Sequence, residues 1–238
     1  MDRLLLTARL VRSVALTEQT KHLEFEVEGA KPFNFAAGQF VSIREPHDGH
    51  QASGHYSIAS APRGDNRFEL CVNRVPDAFF SNYLCDLAEG KPVRLHGPHG
   101  RFALRQPVRD SLFVATGTGI APLRAMLQWL LADKARHWGH QLTLIFGVRY
   151  ARDLYYDAEF QRMAGGHANF HYVPTLSRDN PGWKGASGYV QEYVRRIAGD
   201  RTDVDAYLCG RPDMVAANRD LLRGLGWERK SIHYEKFE

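Results

Sequence analysis

Apolar and polar residues alternate in short runs along the first part of the chain. These runs are LLTARLV, HLEFEV, QFVSI, HYSIAS, FELCVNRV and PVRLHG. Alternation with period two is typical of half-buried strands. Turn signals separate the runs, as at Ala37-Gly38, Arg63-Gly64-Asp65-Asn66 and Gly97-Pro98-His99-Gly100. The pattern predicts a small antiparallel β-barrel, with one helix over Asn82 to Glu89 that stops at Gly90.

The pattern changes after Val108, where continuous apolar runs alternate with helically spaced ones. The predicted strands are SLFVAT, LTLIFGV, NFHYVPT, DAYLCG and SIHYEKFE. The predicted helices are Pro122 to Ala135, DAEFQRMA, GYVQEYVRRIA and PDMVAANRDLLRGLG. Continuously apolar strands are typical of a parallel sheet covered by helices on both faces. The sequence therefore predicts two domains, an antiparallel β-barrel over residues 1–106 and an α/β parallel-sheet domain over residues 107–238.

Composition narrows the classes of partner. Hydrophobic residues make up 44% of the chain, which is enough for two cores, and the formal net charge is only +4. Both signs of charge are mixed and no long basic run occurs, so we expect no nucleic-acid partner. One local concentration of basic residues fits either a docking surface for an acidic partner or an ordinary solvated surface. It comprises Arg94, His96, His99, Arg101, Arg105 and Arg109.

Cysteine usage and the start of the chain favour a cytoplasmic protein. Cys71, Cys85 and Cys209 are too few and too scattered for a disulfide framework or a four-cysteine metal site, which indicates a reducing compartment. The opening run is flanked by Asp2 and interrupted by Arg9, so it does not resemble a signal peptide. No run of about twenty apolar residues follows, so we expect no membrane span. Histidine pairs at 96 and 99, 137 and 140, and 167 and 171 lack companion ligands, and no metal site is predicted.

The first strand of the second domain runs into the glycine-rich stretch ATGTGIAP. A strand, a tight glycine turn and a helix start form a cradle for a pyrophosphate, because the backbone amides can approach the ligand closely. The candidate residues are Thr116, Gly117, Thr118, Gly119 and Pro122. Pro122 replaces the third glycine of the common dinucleotide fingerprint, so taken alone this turn is equally compatible with a purely structural role.

Several ordered motifs together resemble the ferredoxin–NADP reductase superfamily. They are Tyr56-Ser57, GPHGRF from Gly97, ATGTGIAP, CGRPDM from Cys209 and the terminal YEKF from Tyr234. The resemblance covers nearly the whole chain. It implies a flavin-binding barrel that holds FAD, an NAD(P)-binding domain, and hydride transfer from NADPH to the bound flavin. It further implies that electrons then pass to a separate acceptor, a ferredoxin or flavodoxin.

The resemblance places the flavin along GHYSIAS, the segment from Gly54 to Ser60. Tyr56 would pack on the flavin ring, Ser57 would lie beside the flavin atom that receives the hydride, and Ser60 would help with the flavin tail. His55 and Ile58 lie in the same segment and are predicted contacts. The family has a phosphate-binding arginine where this chain has Gly54, so His55 or Arg74 is the candidate substitute.

A second flavin motif appears as Ala78-Phe79-Phe80-Ser81, again without the expected glycine. Ser81 is predicted to open the helix over Asn82 to Glu89, whose first amides would hold the flavin pyrophosphate. A simple N-cap serine would look the same in the sequence.

In the second domain the resemblance assigns the reacting edge to three late residues. Cys209 would border the nicotinamide pocket, Glu235 would assist at the reacting centre, and Phe237 would lie by the flavin ring. The predicted catalytic residues are therefore Ser57, Cys209 and Glu235. Glu238 extends the chain one residue beyond many termini of the family.

Arg149, Ser177 and Arg178 follow predicted parallel strands, where hydroxyl and guanidinium groups suit the 2′-phosphate of NADPH. Exposed ion pairs of Arg149 with Asp153 and of Arg178 with Asp179 are the competing interpretation.

Two other functions remain open at this point. The chain also resembles NAD(P)H:flavin oxidoreductases that use free flavin as a substrate, through Gly54, Ala78 and the segment Gly182-Trp183-Lys184-Gly185. An electron-transfer subunit that works only within a larger complex is the third possibility.

Overall fold

The computed structural model describes residues 5–29 and 31–237, so Asp2 and Glu238 lie outside the described residues. The chain forms two compact units. The first contains the chain up to Ala103 together with Arg124–Trp129, and the second contains Leu104–Leu123 together with the chain from Leu130 onward. The domain boundary at residue 106 stays a prediction.

The first unit is built on a six-stranded antiparallel sheet. Its strands are β1 (Leu6–Ala15), β2 (Thr20–Val27), β3 (Phe40–His47), β4 (His50–Ser57), β5 (Arg67–Asn73) and β6 (Pro92–His99). They are ordered β4-β3-β6-β1-β2-β5, and an isolated bridge between Ile58 and Leu70 links the end of β4 to β5 at the opposite edge. The sheet thus closes on itself around buried Leu10, Phe25, Phe68 and Leu95, and the predicted barrel is confirmed.

Two predicted features of the barrel are wrong. Strands β3 and β4 form a long hairpin through Asp48 and Gly49, both of which have positive φ, whereas the predicted strands covered only Gln39 to Ile43 and His55 to Ser60. Residues in this arm are mostly exposed, so the apolar alternation that marks a half-buried strand is missing there. Strand β6 also continues to His99, so the turn predicted at Gly97-Pro98-His99-Gly100 is largely strand.

The single helix of the barrel, α1 (Phe79–Asp86), starts earlier than predicted. Its N-cap is Ala78, whose side chain has no oxygen to cap the helix, and Ser81 lies inside the first turn. The predicted start at Asn82 is therefore wrong, because Phe79 and Phe80 pack as helical residues among neighbouring aromatic rings. Gly90 has a positive φ and lies in the turn after the helix.

The second unit is built on a six-stranded parallel sheet. Its strands are β7 (Ser111–Thr116), β8 (Leu142–Val148), β9 (Phe170–Leu176), β10 (Ala186–Ser187), β11 (Asp205–Gly210) and β12 (Ile232–Lys236). The order is β10-β9-β8-β7-β11-β12, so the chain first builds outward from one side of β7 and then from the other. Ligands of such sheets bind beyond the carboxyl ends of the strands at this reversal. The predicted α/β fold is confirmed, and only β10, two residues long, was missed.

The helices of this part of the chain are α2 (Ile120–Leu131), α3 (Lys134–His137), α4 (Asp157–Gly166), α5 (Val190–Ala198) and α6 (Pro212–Gly224). The predicted helix from Pro122 to Ala135 is wrong at its end, since α2 stops at Leu131. The Asp133 side chain then accepts a hydrogen bond from Ala135 N and caps α3. None of the helices in the described ranges is long and apolar enough to span a membrane.

Candidate functional site

The loop after β7 needs its two glycines for different reasons. Residues Gly117–Gly119 form one 3₁₀ turn between Thr116 and the start of α2 at Ile120. Gly117 has a φ of 54°, and no described atom lies within 4 Å of the position that its Cβ would take. Gly119, in contrast, lies so close to the Cys209 carbonyl that any Cβ would collide with it. The open backbone at Gly117 beside the start of α2 fits a pyrophosphate cradle.

The loop after β11 packs directly against this turn. Gly210 has a φ of 140°, and a Cβ there would collide with the hydroxyl oxygen of Thr116. The same oxygen accepts a hydrogen bond from Arg211 N at 3.4 Å, just before α6 begins at Pro212. The two loops at the strand reversal are therefore held together through Thr116.

The structure brings the three late residues of the predicted site to this same edge. Cys209 and Glu235 are register partners on β11 and β12, and Phe237 N donates to the Gly210 carbonyl at 2.9 Å. The Cys209 thiol is fully buried, and burial, followed by the nearby charge of Glu235, raises the pKa of Cys209 well above its usual value. The thiol is therefore neutral at physiological pH and can donate but does not attack as a thiolate.

Arg149, Ser177 and Arg178 follow β8 and β9 as predicted, and backbone hydrogen bonds join the two loops. Ser177 N donates to Val148 O at 2.9 Å and Arg178 N to Arg149 O at 3.2 Å. The Asn180 amide adds a clamp, donating to the Arg149 and Arg178 carbonyls at 3.3 and 2.6 Å. Asn180 was not predicted, because one polar residue in a loop carries no periodic signal.

A cleft of about 460 Å³ opens beside these loops. Its lining residues are Tyr150, Ala151, Arg152, Asp179, Asn180, Pro181, Gly182 and Trp183. The Arg152 guanidinium lies 4.7 Å from the centre of the Tyr150 ring. Within the described ranges neither Arg149 nor Arg178 forms an ion pair, so the competing pairs with Asp153 and Asp179 are not formed.

In the first unit, the predicted flavin residues follow the end of β4. Tyr56 is half-buried, and burial, followed by the Cys85 sulfur, raises the pKa of the Tyr56 hydroxyl above its usual range, so the group stays protonated. Ser57 is buried on the opposite face of the strand, and the exposed His55 ring lies 5.4 Å from the Phe40 ring. Ile58 is fully buried in the barrel core and its N–H donates to the Gln39 carbonyl at 2.9 Å, so neither group is available to a ligand.

A buried ion-pair network that was not predicted fixes the segment after β4. Glu69 on β5 is 5% exposed and Arg124 on α2 is 7% exposed. The Arg124 guanidinium donates to Glu69 Oε2 at 2.6 Å and to the Ala59 carbonyl at 2.7 Å. Arg63 pairs with the other Glu69 oxygen, and His22 Nε2 lies 3.9 Å from Oε2. Burial favours the neutral acid, but Arg124, Arg63 and His22 outweigh it and lower the pKa of Glu69.

Further hydrogen bonds complete this support. Ser60 Oγ accepts from Glu69 N at 3.1 Å, and Gln128 Oε1 accepts from Ala61 N at 2.9 Å. Ser60 therefore anchors the segment to β5. The sequence signals were a glutamate inside the apolar run FELCV and an arginine inside an apolar helix, but neither shows which partner it meets.

Ser81 is also engaged with the backbone rather than capping a helix. Its hydroxyl oxygen accepts from Val75 N at 3.1 Å and donates to the Ala78 carbonyl at 3.3 Å. It holds the loop before α1. All three cysteines are buried, and the described residues contain no group of three potential metal ligands.

Comparison with known families matches both halves of the chain. Residues 7–104 match the oxidoreductase FAD-binding domain and residues 113–220 the oxidoreductase NAD-binding domain. The two matches divide near the end of the barrel and reproduce the order of the two sheets.

Individual proteins give the same result. A ferredoxin–NADP reductase B from Sorangium cellulosum is 42% identical over 97% of both chains. The toluate 1,2-dioxygenase electron transfer component from Pseudomonas putida is 32% identical over 93% of this chain and 64% of its own length. The crystal structure of an Amycolatopsis cytochrome P450 reductase, GcoB, superimposes with a TM-score of 0.87 and 32% identity over 98% of this chain and 70% of that one.

The glycine turn at the strand reversal, the barrel ahead of it and these end-to-end similarities have one explanation. The chain belongs to the ferredoxin–NADP reductase superfamily of flavin-dependent oxidoreductases that take electrons from NAD(P)H.

Proposed function

We propose that this protein is a cytoplasmic reductase that uses NADPH, binds FAD and passes electrons to a separate ferredoxin or flavodoxin. The observation that carries the choice of NADPH is the pair of unpaired guanidinium groups, Arg149 and Arg178, at the ends of β8 and β9. A 2′-phosphate is a dianion that guanidinium groups bind strongly, whereas a bare ribose is usually held by a carboxylate. Three buried cysteines, too few and too scattered for a disulfide framework, support the reducing compartment.

Each cofactor has residues that suit it. The backbone at Gly117 and the start of α2 would hold the dinucleotide pyrophosphate, and Tyr150 with Arg152 offers a flat surface for the adenine. Tyr56 would hold the flavin ring, with Ser57 next to it on β4. When bound, NADPH supplies a hydride to the flavin, which then releases single electrons.

The residues of the chain orient and protect this chemistry. Cys209 stays neutral, so it packs beside the nicotinamide without competing for it as a nucleophile. Glu235, its neighbour across β11 and β12, is partly exposed and supplies a carboxylate that can accept a proton at this edge. The Tyr56 hydroxyl stays protonated and remains a hydrogen-bond donor across the physiological range.

A basic strip on the barrel, formed by Arg44 and Arg94, would receive the acceptor protein. Arg44 on β3 stands directly opposite Arg94 on β6, and two like charges at such a position disfavour the sheet. Arg94 has one carboxylate neighbour, Glu45 at 3.8 Å, while Arg44 has no ion-pair partner among the described residues. Arg105 belongs to the local concentration of basic residues in the sequence but not to this strip, because its guanidinium lies 3.6 Å from a carboxylate oxygen of buried Asp205. An acidic acceptor would offset the remaining repulsion.

Steady-state kinetics test the nucleotide. We expect Arg149→Ala and Arg178→Ala each to raise KM for NADPH about tenfold and to leave KM for NADH unchanged, because only NADPH carries the 2′-phosphate. Arg195→Ala, an exposed arginine on α5, is the matched control. Equal losses with both nucleotides would contradict the assignment.

The acceptor surface is tested with Arg44→Gln and Arg94→Gln. We expect each variant to raise KM for oxidised ferredoxin about threefold to tenfold at low salt and to flatten the salt dependence of that KM. Electron transfer to ferricyanide, which is small and needs no docking surface, should not change. Equal losses with ferricyanide would show that the variants damage the flavin site instead.

A further inference from the structure

An aromatic cluster lies beside the predicted flavin strand. We define it as His47, Tyr56, Phe79, Phe80 and Tyr83. The His47 and Phe79 rings stack at 3.9 Å, Phe79 meets Phe80 edge-on at 5.0 Å, and Phe79 and Tyr83 stack at 5.9 Å. Tyr83 also donates to Glu45 at 3.3 Å, and burial, with help from that carboxylate, raises the pKa of Tyr83 to about 12. The rings therefore hold one another in place.

This cluster occupies the space that a side chain at residue 54 would need. A Cβ added to Gly54 would lie 2.7 and 2.8 Å from two Phe80 carbons and 3.0 Å from a Tyr56 ring carbon. Carbon atoms that are not bonded do not approach so closely. The position of Phe80 therefore requires a glycine at residue 54, and no cationic side chain can extend from this position of β4 unless Phe80 moves.

The two candidate substitutes for the missing arginine, Arg74 and His55, are held elsewhere. Arg74 donates to Asn82 at 2.9 Å and forms an ion pair with Asp86. The exposed His55 ring lies beside Phe40, on the opposite face of β4 from Gly54. Neither candidate substitute for the missing arginine is positioned in the structure as a free charge at the aromatic cluster.

The predicted pyrophosphate contacts at the start of α1 carry no charge. The Ser81 hydroxyl is engaged with the Val75 and Ala78 backbone. The first amides of α1 remain, because Ala78 offers no capping oxygen. A neutral amide contributes less to binding an anion than a charged guanidinium does.

We propose that the first unit binds flavins mainly through the isoalloxazine ring, stacked on Tyr56 at the edge of the aromatic cluster, and distinguishes only weakly between FAD, FMN and riboflavin. This inference rests on the proposed function, since it concerns the same flavin site. FAD still binds, but its phosphates add little. A flavin held in this way exchanges with free flavin, so the site can take a flavin as a substrate as well as a cofactor.

Flavin titrations of the full chain, stripped of its flavin, test the proposal directly. Binding is followed by the quenching of flavin fluorescence, with riboflavin, FMN and FAD in parallel. We expect the three Kd values to agree within about tenfold, because the ring is common to all three. A Kd for FAD more than about a hundredfold below that for riboflavin would overturn the proposal.

Variants distinguish the contribution of the isoalloxazine ring to flavin binding from that of the phosphates. Phe80→Ala should weaken all three flavins alike, by about tenfold, since the Phe80 ring lies beside Tyr56 and supports the ring on which the flavin stacks. The double variant Gly54→Arg/Phe80→Ala has room for a guanidinium and should bind FAD and FMN about tenfold more tightly than Phe80→Ala, with riboflavin unchanged. Gln51→Arg/Phe80→Ala adds the same charge at an exposed position on the other face of β4 and should gain nothing.

The outcomes also distinguish this inference from the proposed function. If no flavin binds, or if NADPH is not oxidised when flavin and an acceptor are supplied, the proposed function itself fails. If FAD binds and turns over but is strongly preferred, or if Phe80→Ala weakens FAD alone, only the ring-based selectivity fails.

Discussion

The two candidate binding edges are built from different parts of the chain. The edge of the parallel sheet is shaped by backbone, since Gly119 and Gly210 allow two loops to approach where any side chain would collide. The segment after β4 in the barrel is held by side chains, because Glu69, Arg124 and Ser60 form hydrogen bonds that fix its backbone. A backbone site tolerates almost no added atoms, whereas a side-chain site depends on buried charge and therefore on pH.

The largest effect should come from breaking the side-chain support. Arg124→Leu leaves the buried Glu69 without its buried ion-pair partner, and we expect the free energy of unfolding of the first unit to fall by about 3 kcal/mol. This loss is measured by denaturant unfolding, with the release of bound flavin as the signal. Arg12→Leu, which removes a charge from β1, is the control, and equal losses in both variants would show that net charge is the cause.

The backbone site should respond almost as strongly to one methyl group. In Gly119→Ala the Cβ collides with the Cys209 carbonyl, and we expect kcat/KM for NADPH to fall about a hundredfold while flavin affinity is kept. Gly117→Ala meets no described atom and has only its positive φ to accommodate, which costs about 1 kcal/mol. If Gly117→Ala lost as much activity as Gly119→Ala, the close approach to Cys209 would not be the reason.

Acid should weaken the barrel through Glu69. The pKa of this carboxyl is lowered in the folded state, so its stabilisation is complete above its ordinary pKa of 4.5 and is lost as pH falls through the lower folded value. We expect the wild type to lose about 1 kcal/mol more than Glu69→Gln between about pH 6 and about pH 3. If the free energy of unfolding fell in parallel with pH in the two proteins, Glu69 would not contribute to the loss of stability in acid.

The smallest effect concerns the start of the second unit. The Tyr207 ring stacks between Phe113 and His233, and its hydroxyl oxygen accepts from Arg105 N at 2.9 Å. Tyr207→Phe keeps the stacking but leaves that amide without its partner, which should cost about 1 kcal/mol in thermal or denaturant unfolding. A larger loss would mean that the hydroxyl also orders the neighbouring Arg105 and Asp205 pair.

The same contrast explains what could be predicted from the sequence. Glycines such as Gly117 and Gly210 mark backbone positions locally, so the glycine turn after β7 could be located from the sequence, while its contacts with a ligand stay a prediction. Glu69 and Arg124 lie 55 positions apart, and nothing local in either segment indicates the other. Tertiary pairing of this kind is the part that periodicity cannot supply.

Errors in the elements have equally physical causes. The arm formed by β3 and β4 is exposed on both sides near Asp48 and Gly49, so its residues show no apolar alternation. Helix α1 was placed too late because its start depends on the packing of Phe79 and Phe80, not on a capping residue. Ser81 was therefore expected to open the helix, whereas it lies inside the first turn of α1.

The buried thiol of Cys209 has one more consequence, for the durability of the protein. Oxidation by peroxide and alkylation both require a thiolate that the reagent can reach. Cys209 is fully buried and its pKa is raised, so it meets neither condition. A sulfur atom can therefore lie at this edge of the parallel sheet without being consumed by peroxide or by alkylating reagents.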